Sequence, residues 1–289
     1  MTGPHPIMLI TLSMVCFSIE DLLIKVLSQS LPTGQLTVML GFGGALVFAL
    51  VALFQRQWVL PLGPGTLILY LRSACEGLAA VFIIVGLAMV PLSSFAAVFQ
   101  ASPLVMTMGA AILLREQVGW RRWLAVLVGF VGVLLIIQPG TVDFDPAILL
   151  VLGAVLTISA RDLLSRRLPA ALPSTVVSFQ GFASLLLSGP VLILLTGQGL
   201  VAPNSFSWLL LGATVSVGVA GYYAIVLGTR MGDVAVLAPF RYTRLVFAMI
   251  FGIVIFAERP DPATYLGAVL IIGSGIYTYW REQRLRQYE

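Results

Sequence analysis

The sequence predicts an all-α integral membrane protein of ten transmembrane helices, arranged as two inverted-topology five-helix repeats. Of its 289 residues, 59% are hydrophobic and 10% charged, well short of the roughly 25% charge that covers a soluble globule. The apolar stretches fall into ten windows of the length a bilayer crossing needs, about 20 residues each. Segments from the first half also recur 141 or 142 residues later.

In chain order, the spans are expected over 7–28, 35–54, 66–89, 92–114, 122–138, 147–166, 175–196, 206–229, 234–256 and 264–280. The first ends in EDLLIK, which sets Glu20, Asp21 and Lys25 inside an apolar run. It is too long for a secretory signal core and has no basic residue before it, so it is read as a retained span. The link LPTG (31–34) leads to the second span, where GFGGA (41–45) lets a neighbouring helix come close. The third holds Arg72 and Glu76, and the fourth holds Gln100, Ser102 and Pro103. A proline lacks a backbone donor and bends a helix. The fifth carries Gly129 and Gly132 and ends at QPG (138–140). Beyond the acidic DFD (143–145), Arg161 and Asp162 lie in the sixth span, Tyr222 and Tyr223 in the eighth, and Arg241, Tyr242 and Arg244 in the ninth. All five tryptophans fall near span ends, where amphipathic rings settle at the lipid headgroups.

The repeat fixes the topology. EDLLIKVLSQSLPT (20–33) recurs as RDLLSRRLPAALPS (161–174), pairing Asp21 with Asp162, Lys25 with Arg166 and Pro32 with Pro173. LLREQVGWRRWLAVLVGFVGVLLI (113–136) recurs as IFAERPDPATYLGAVLIIGSGIYT (255–278), pairing Glu116 with Glu258. Five spans per copy is an odd number, so the second copy enters the membrane from the opposite side. Secondary transporters share this arrangement and bind their ligand near the midplane between the halves. Of the sixteen Lys and Arg residues, ten lie on the side of the termini and two on the other, with four inside spans. The positive-inside rule then puts both termini in the cytoplasm.

The later pair of segments resembles the signature of the EamA family in the drug/metabolite transporter superfamily. Pro103, Glu116, Gly129 and Gly132 carry the resemblance in the first copy, and Glu258, Gly267, Gly273 and Gly275 in the second. Leu245 stands where Pro103 would repeat, so the ninth span need not bend as the fourth does. The resemblance covers nearly the whole chain, with one EamA-like repeat over 1–140 and another over 141–289, and is strongest to the YddG amino-acid exporters. It implies a carrier of the bacterial inner membrane that exports amino acids, aromatic or other neutral ones, and related metabolites by alternating access.

Ionisable groups at mid-membrane are costly and belong in a wet interior. Arg241 and Arg244, three apart, share one face of the ninth span. A guanidinium holds a carboxylate through two parallel hydrogen bonds, so either arginine is a candidate clamp for a substrate carboxylate, with Glu20 or Glu76 receiving an ammonium group. Internal neutralisation among the same residues is the competing reading. Gln100 and Ser102 are repeat-mates of Tyr242 and Arg244, and Phe82 of Tyr223, which adds Phe82, Gln100, Ser102, Tyr222, Tyr223 and Tyr242 to the expected binding residues. Asp21 with Lys25, and Asp162 with Arg166, are each four apart and are expected to meet on one helix face and close opposite mouths of the pathway. The alternative for these pairs is anchoring at the headgroups.

No phosphate-binding loop is present, and the only histidine is His5. Cys16 and Cys75 lack metal-ligand spacing. An enzyme, a cofactor, a metal site and a nucleic-acid partner are therefore not expected; the partners are a small-molecule substrate and the lipid bilayer, and a monomer is the working expectation. Proton coupling through Glu20 or Glu76 remains open beside uncoupled transport. The alternatives are a nucleotide-sugar or cationic-drug carrier of the same superfamily, or a non-transport intramembrane protein.

Overall fold

The computed structural model describes residues 6–61, 63, 65–113, 119–142, 144–169, 171–231 and 238–286. Eleven α-helices and a short 3-10 turn are formed among them. Helices α1 (Pro6–Leu27), α2 (Thr33–Phe54), α3 (Thr66–Met89), α4 (Leu92–Phe99), α5 (Ser102–Leu113) and α6 (Trp120–Ile137) make the first repeat. The second has α7 (Ile148–Ser165), α8 (Ser174–Thr196), α9 (Ser205–Met231), the 3-10 turn (Ala238–Tyr242), α10 (Thr243–Phe256) and α11 (Pro262–Arg286). With α4 and α5 as one broken crossing and the 3-10 turn and α10 as another, the ten expected crossings are present. Seven helical spans among the described residues are long and apolar enough to traverse a bilayer, and α6 and α11 contribute shorter apolar stretches.

Sequence punctuation sets the helix ends. Pro32, Pro91 and Pro173 immediately precede α2, α4 and α8, where a missing N–H costs nothing. Asn204 and Asp261 accept hydrogen bonds from the backbone N–H groups of Ser207 and Thr264, capping α9 and α11. Ten crossings bring Pro6 and Arg286 to the same end of the bundle, the terminal face; the opposite end is the distal face.

The two halves are related by a pseudo-twofold. The most extensive packing is of α2 on α8, α1 on α9, α3 on α7 and α6 on α11. Exchanging the repeats turns α1 on α9 into α7 on α3 and leaves the other two pairs unchanged. The relation holds at single hydrogen bonds. Ser18 Oγ donates to Met14 O at 2.8 Å and Arg244 O at 3.0 Å, and its mate Ser159 donates to Val155 O at 2.6 Å and Ser102 O at 3.1 Å.

The fourth crossing is interrupted at Gln100–Ala101, and at the mated positions Tyr242–Thr243 the 3-10 turn passes directly into α10. The ninth span therefore changes its winding at the level where the fourth is broken, with no proline at Leu245. Proline is not what makes the break: Pro103 sits in the first turn of α5, and carbonyls near each break are satisfied by other helices. Arg241 O accepts from Gln100 Nε2 at 3.1 Å, and Arg244 O from Ser18. Irregular backbone at membrane depth survives where such partners exist.

Apolar side chains gain little by leaving lipid for one another, so helix association rests on close packing. At the α6–α11 seam a methyl group on Gly132 would stand 2.7 Å from Gly267 O, and one on Gly267 would stand 2.5 Å from Gly132 O. Backbone cannot move aside as a side chain can. Leucine at Gly132 is expected to cost about 2 kcal/mol or more by overpacking, seen as a lower unfolding temperature in detergent, whereas leucine at Gly273, which has open space around it, leaves that temperature unchanged.

Candidate functional site

Between the halves lies a cavity of about 600 Å³, within the range that holds small metabolites. Its lining runs from the level of the broken helices to Arg166, Leu168 and Pro169, at the link that leaves α7 on the terminal face. None of the lining residues belongs to a distal link. The distal end is closed by backbone capping. Glu258 accepts from Leu92 N at 2.6 Å and from Ser93 N at 2.9 Å, both free donors at the start of α4, and from Ser93 Oγ at 2.7 Å. Lys25 Nζ donates to Leu87 O at 3.2 Å and Val90 O at 2.6 Å, at the end of α3, and lies over the Phe256 ring. These charges sit on the helix ends whose partial charges they complement.

Two ion clusters line the cavity. In the first, Asp21 grips Arg244 through both oxygens, with Arg244 Nε to Oδ2 at 2.9 Å and Nη2 to Oδ1 at 2.7 Å. The guanidinium is flanked by the Phe17 and Phe99 rings, 5.3 and 4.7 Å from their centroids. Arg244 thus spends Nε and one Nη2 donor on Asp21, the internal neutralisation that competes with a clamp role. The second cluster spans three helices and the 3-10 turn. Arg72 binds Glu76 at 2.6 Å, Arg161 binds Glu76 at 2.8 Å and Asp162 at 2.7 Å, and Arg241 approaches Asp162 at 3.7 Å. Tyr222 accepts a hydrogen bond from Arg72 and donates to Glu76 at 3.0 Å.

Two groups stand apart. Arg241 makes no side-chain hydrogen bond among the described residues and retains 24% exposure. Glu20 faces the cavity against Gly218, where a methyl group would strike its carboxylate, and it has no hydrogen bond or ion pair among the described residues.

Of the residues expected from sequence, Glu20, Glu76, Gln100, Ser102, Tyr222, Arg241 and Arg244 line the cavity, as do Asp21, Asp162 and Arg166. Three do not. Phe82 packs on Gly153 of α7; Tyr223 turns outward, 45% exposed on the lipid-facing surface; Tyr242 is buried with its hydroxyl over Gly275 of α11. Repeat position gave their depth but not their direction around the helix. The Asp21–Lys25 pairing is also corrected, since Lys25 reaches carbonyls at the distal end while Asp21 holds Arg244. Asp162 finds Arg161 and Arg241. Glu116 lies outside the described residues. Arg72 and Arg161 escaped the expected binding set, although Arg72 stands four residues before Glu76 and Arg161 is the repeat-mate of Glu20.

Family comparison decides what such a cavity belongs to. The profile of the EamA-like transporter family matches residues 5–138 and 145–280. The chain belongs to the EamA-like transporter family. Among EamA relatives, the S-adenosylmethionine uptake transporter of Rickettsia prowazekii is 29% identical over 69% of this chain and 67% of its own length. The riboflavin transporter of Vibrio cholerae is 34% identical over 68% of this chain and 66% of its own. The pseudopaline exporter of Pseudomonas aeruginosa is 26% identical over 92% and 93%. A solved crystal structure, 22% identical, superposes with a TM-score of 0.65 over 95% of this chain and 98% of that one, which establishes the shared fold. The chain is therefore a multi-pass membrane transporter of the EamA family; these relatives do not single out the amino-acid exporters within it.

Removing a partner from a buried ion pair is far more costly than the pair itself is stabilising. D21A is expected to lose about 3 kcal/mol of stability by stranding Arg244, and the swapped double variant D21R/R244D to recover most of it. Thermal unfolding of the three proteins in detergent measures this.

Proposed function

We propose that this chain is an alternating-access carrier that exports amino acids, or metabolites built on an amino-acid group, across the bacterial inner membrane. The observation that carries the reading is a pair of opposite charges in the cavity that make no side-chain hydrogen bond among the described residues. Arg241 is held only by the long 3.7 Å ion pair to Asp162, which leaves its guanidinium donors for a substrate carboxylate, and Glu20 presents its carboxylate to an ammonium group. In the two ion clusters the other groups are three carboxylates, Asp21, Glu76 and Asp162, against three arginines, Arg72, Arg161 and Arg244, which leaves no basic surplus there for a nucleotide-sugar donor. Phe17, Phe99, Phe182 and the Met14 and Met106 side chains supply apolar and polarizable walls for a substrate side chain.

S-adenosylmethionine, the cargo named for several relatives, itself carries an amino-acid group and a sulfonium cation. A cationic amino-acid derivative is therefore the second reading. Relatives named for uptake and for export occur side by side, so outward flux rests on the resemblance to exporters alone. The cytoplasmic placement of the terminal face rests on the ten-against-two distribution of basic residues. On that placement the cavity opens inward, and the division between repeats falls at 140–141.

For gating we infer that Lys25 holds the distal mouth shut and that Arg166, its repeat-mate, serves the terminal mouth. The mates of Leu87 and Val90 are Gly228 and Met231 at the end of α9, which makes their carbonyls the target of Arg166 when the cavity opens the other way. K25M is expected to raise labelling of cysteines placed on the distal side of the cavity severalfold, while R166M lowers it.

Uptake of labelled amino acids into proteoliposomes tests the main reading. At least one is expected to move, and R241A to raise its KM about tenfold, the loss of a charge-assisted hydrogen bond of about 1.5 kcal/mol. No movement of any amino acid or S-adenosylmethionine removes the reading and favours a non-transport role.

A further inference from the structure

We propose that Glu20 is a proton-exchange site: a proton and the substrate's cationic nitrogen occupy its carboxylate by turns, so that the carrier exchanges a proton for each substrate. This rests on the reading of the cavity as a site for an amino-acid group.

The sequence leaves Glu20 and Glu76 equal as candidates, and the structure separates them. Glu76 is held by Arg72, Arg161 and the Tyr222 hydroxyl. A proton arriving there would have to displace two guanidinium groups. Glu20 displaces nothing. None of the charged and titratable groups around it makes a hydrogen bond or ion pair with it among the described residues. On its own helix, Asp21 is bound to Arg244 and Lys25 is turned to the distal carbonyls; Cys16 sits one turn below. From α10, Arg244 spends Nε and Nη2 on Asp21. From α3, Arg72 and Glu76 face each other. From α9 come Gly218, which leaves the recess for the carboxylate, and Tyr222, whose hydroxyl proton goes to Glu76. The 3-10 turn brings Arg241 toward Asp162, and α4 carries no charged residue.

An ionised carboxylate without a partner in an apolar surrounding is expensive. Two ligands relieve that cost, a proton or a cationic nitrogen, and one carboxylate does not serve both. When substrate enters from the terminal face, the Glu20 O–H bond breaks, the proton passes to water in the open mouth, and an ammonium N–H donates to the same oxygen. After the cavity reopens distally the ammonium leaves, and a proton from that side re-forms the O–H bond. A zwitterion carried this way moves against one proton, so both a pH gradient and a membrane potential drive it. Exchange of this kind forbids the carrier from returning empty with Glu20 ionised, which is what makes the two fluxes obligatory to each other.

The test uses the purified full chain. Infrared difference spectra taken across a pH titration without substrate are expected to show a protonated-carboxyl band that E20Q lacks and that E20D keeps with a shifted midpoint. Adding phenylalanine is expected to abolish the band and release a proton per bound molecule into weakly buffered solution; 3-phenylpropionate, which lacks the ammonium group, is expected to do neither. In proteoliposomes, gradient-driven accumulation is expected to vanish in E20Q. A titrating band that persists unchanged in E20Q, or survives with phenylalanine bound, overturns the proposal. If the band titrates and is absent from E20Q but no amino acid binds, the proton site stands and the amino-acid reading falls.

Discussion

The architecture depends on the cost of placing charge where water is scarce. Seven ionised side chains from α1, α3, α7, the 3-10 turn and α10 meet around the cavity, and lipid offers none of them a partner. They must satisfy one another, and doing so fixes which helix faces point inward. Asp21 and Arg244 tie α1 to α10. Glu76, Arg161 and Asp162 tie α3 to α7 and onward to the 3-10 turn. These ties also place an apolar, aromatic-walled space beside a polar one, which is the arrangement a metabolite with a charged head and an oily tail requires.

The pseudo-twofold gives the transport cycle its geometry. A protein whose halves are copies in opposite orientation has two related states, each obtained from the other by exchanging the conformations of the repeats. The closed distal mouth, with Glu258 on the first turn of α4 and Lys25 on the last turn of α3, is therefore also a sketch of how the terminal mouth shuts. The helix ends engaged there are backbone groups, so closure does not depend on a matching side chain in the other repeat.

Much of the fold was legible in the sequence, and the reasons are physical. Bilayer thickness imposes span length, and the EDLLIK/RDLLSR and Glu116/Glu258 correspondences expose the duplication without structural knowledge. Depth was legible too: Glu20, Glu76, Gln100 and Arg241 reach the cavity because polarity at mid-membrane has nowhere else to go. Azimuth was not. Tyr222 and Tyr223 are adjacent in sequence and similar in character, yet one binds Arg72 and the other faces lipid, since a step of one residue turns the helix by about 100°. Pairing across helices was also hidden. Spacing suggests Asp21 with Lys25, but partners 223 residues away in sequence are decided by which helices pack together. The 3-10 start of the ninth span was not legible either, and the groups that bond its nearby carbonyls, Ser18 and Gln100, lie in other spans.

Mutual contact at the α6–α11 seam has an evolutionary consequence. Duplicated halves drift apart freely wherever each looks onto its own surroundings, and the unlike mates Glu20 and Arg161 or Gln100 and Tyr242 show how far that has gone. Gly132 and Gly267 have no such freedom, for each lies under the carbonyl oxygen of the other. A larger residue at either position collides with main chain of the facing helix, and no change in that helix's side chains makes room. Their repeat-mates across the duplication, Ser274 and Ala125, are small as well, so the seam holds both copies to small residues while the cargo-facing residues around it are rewritten.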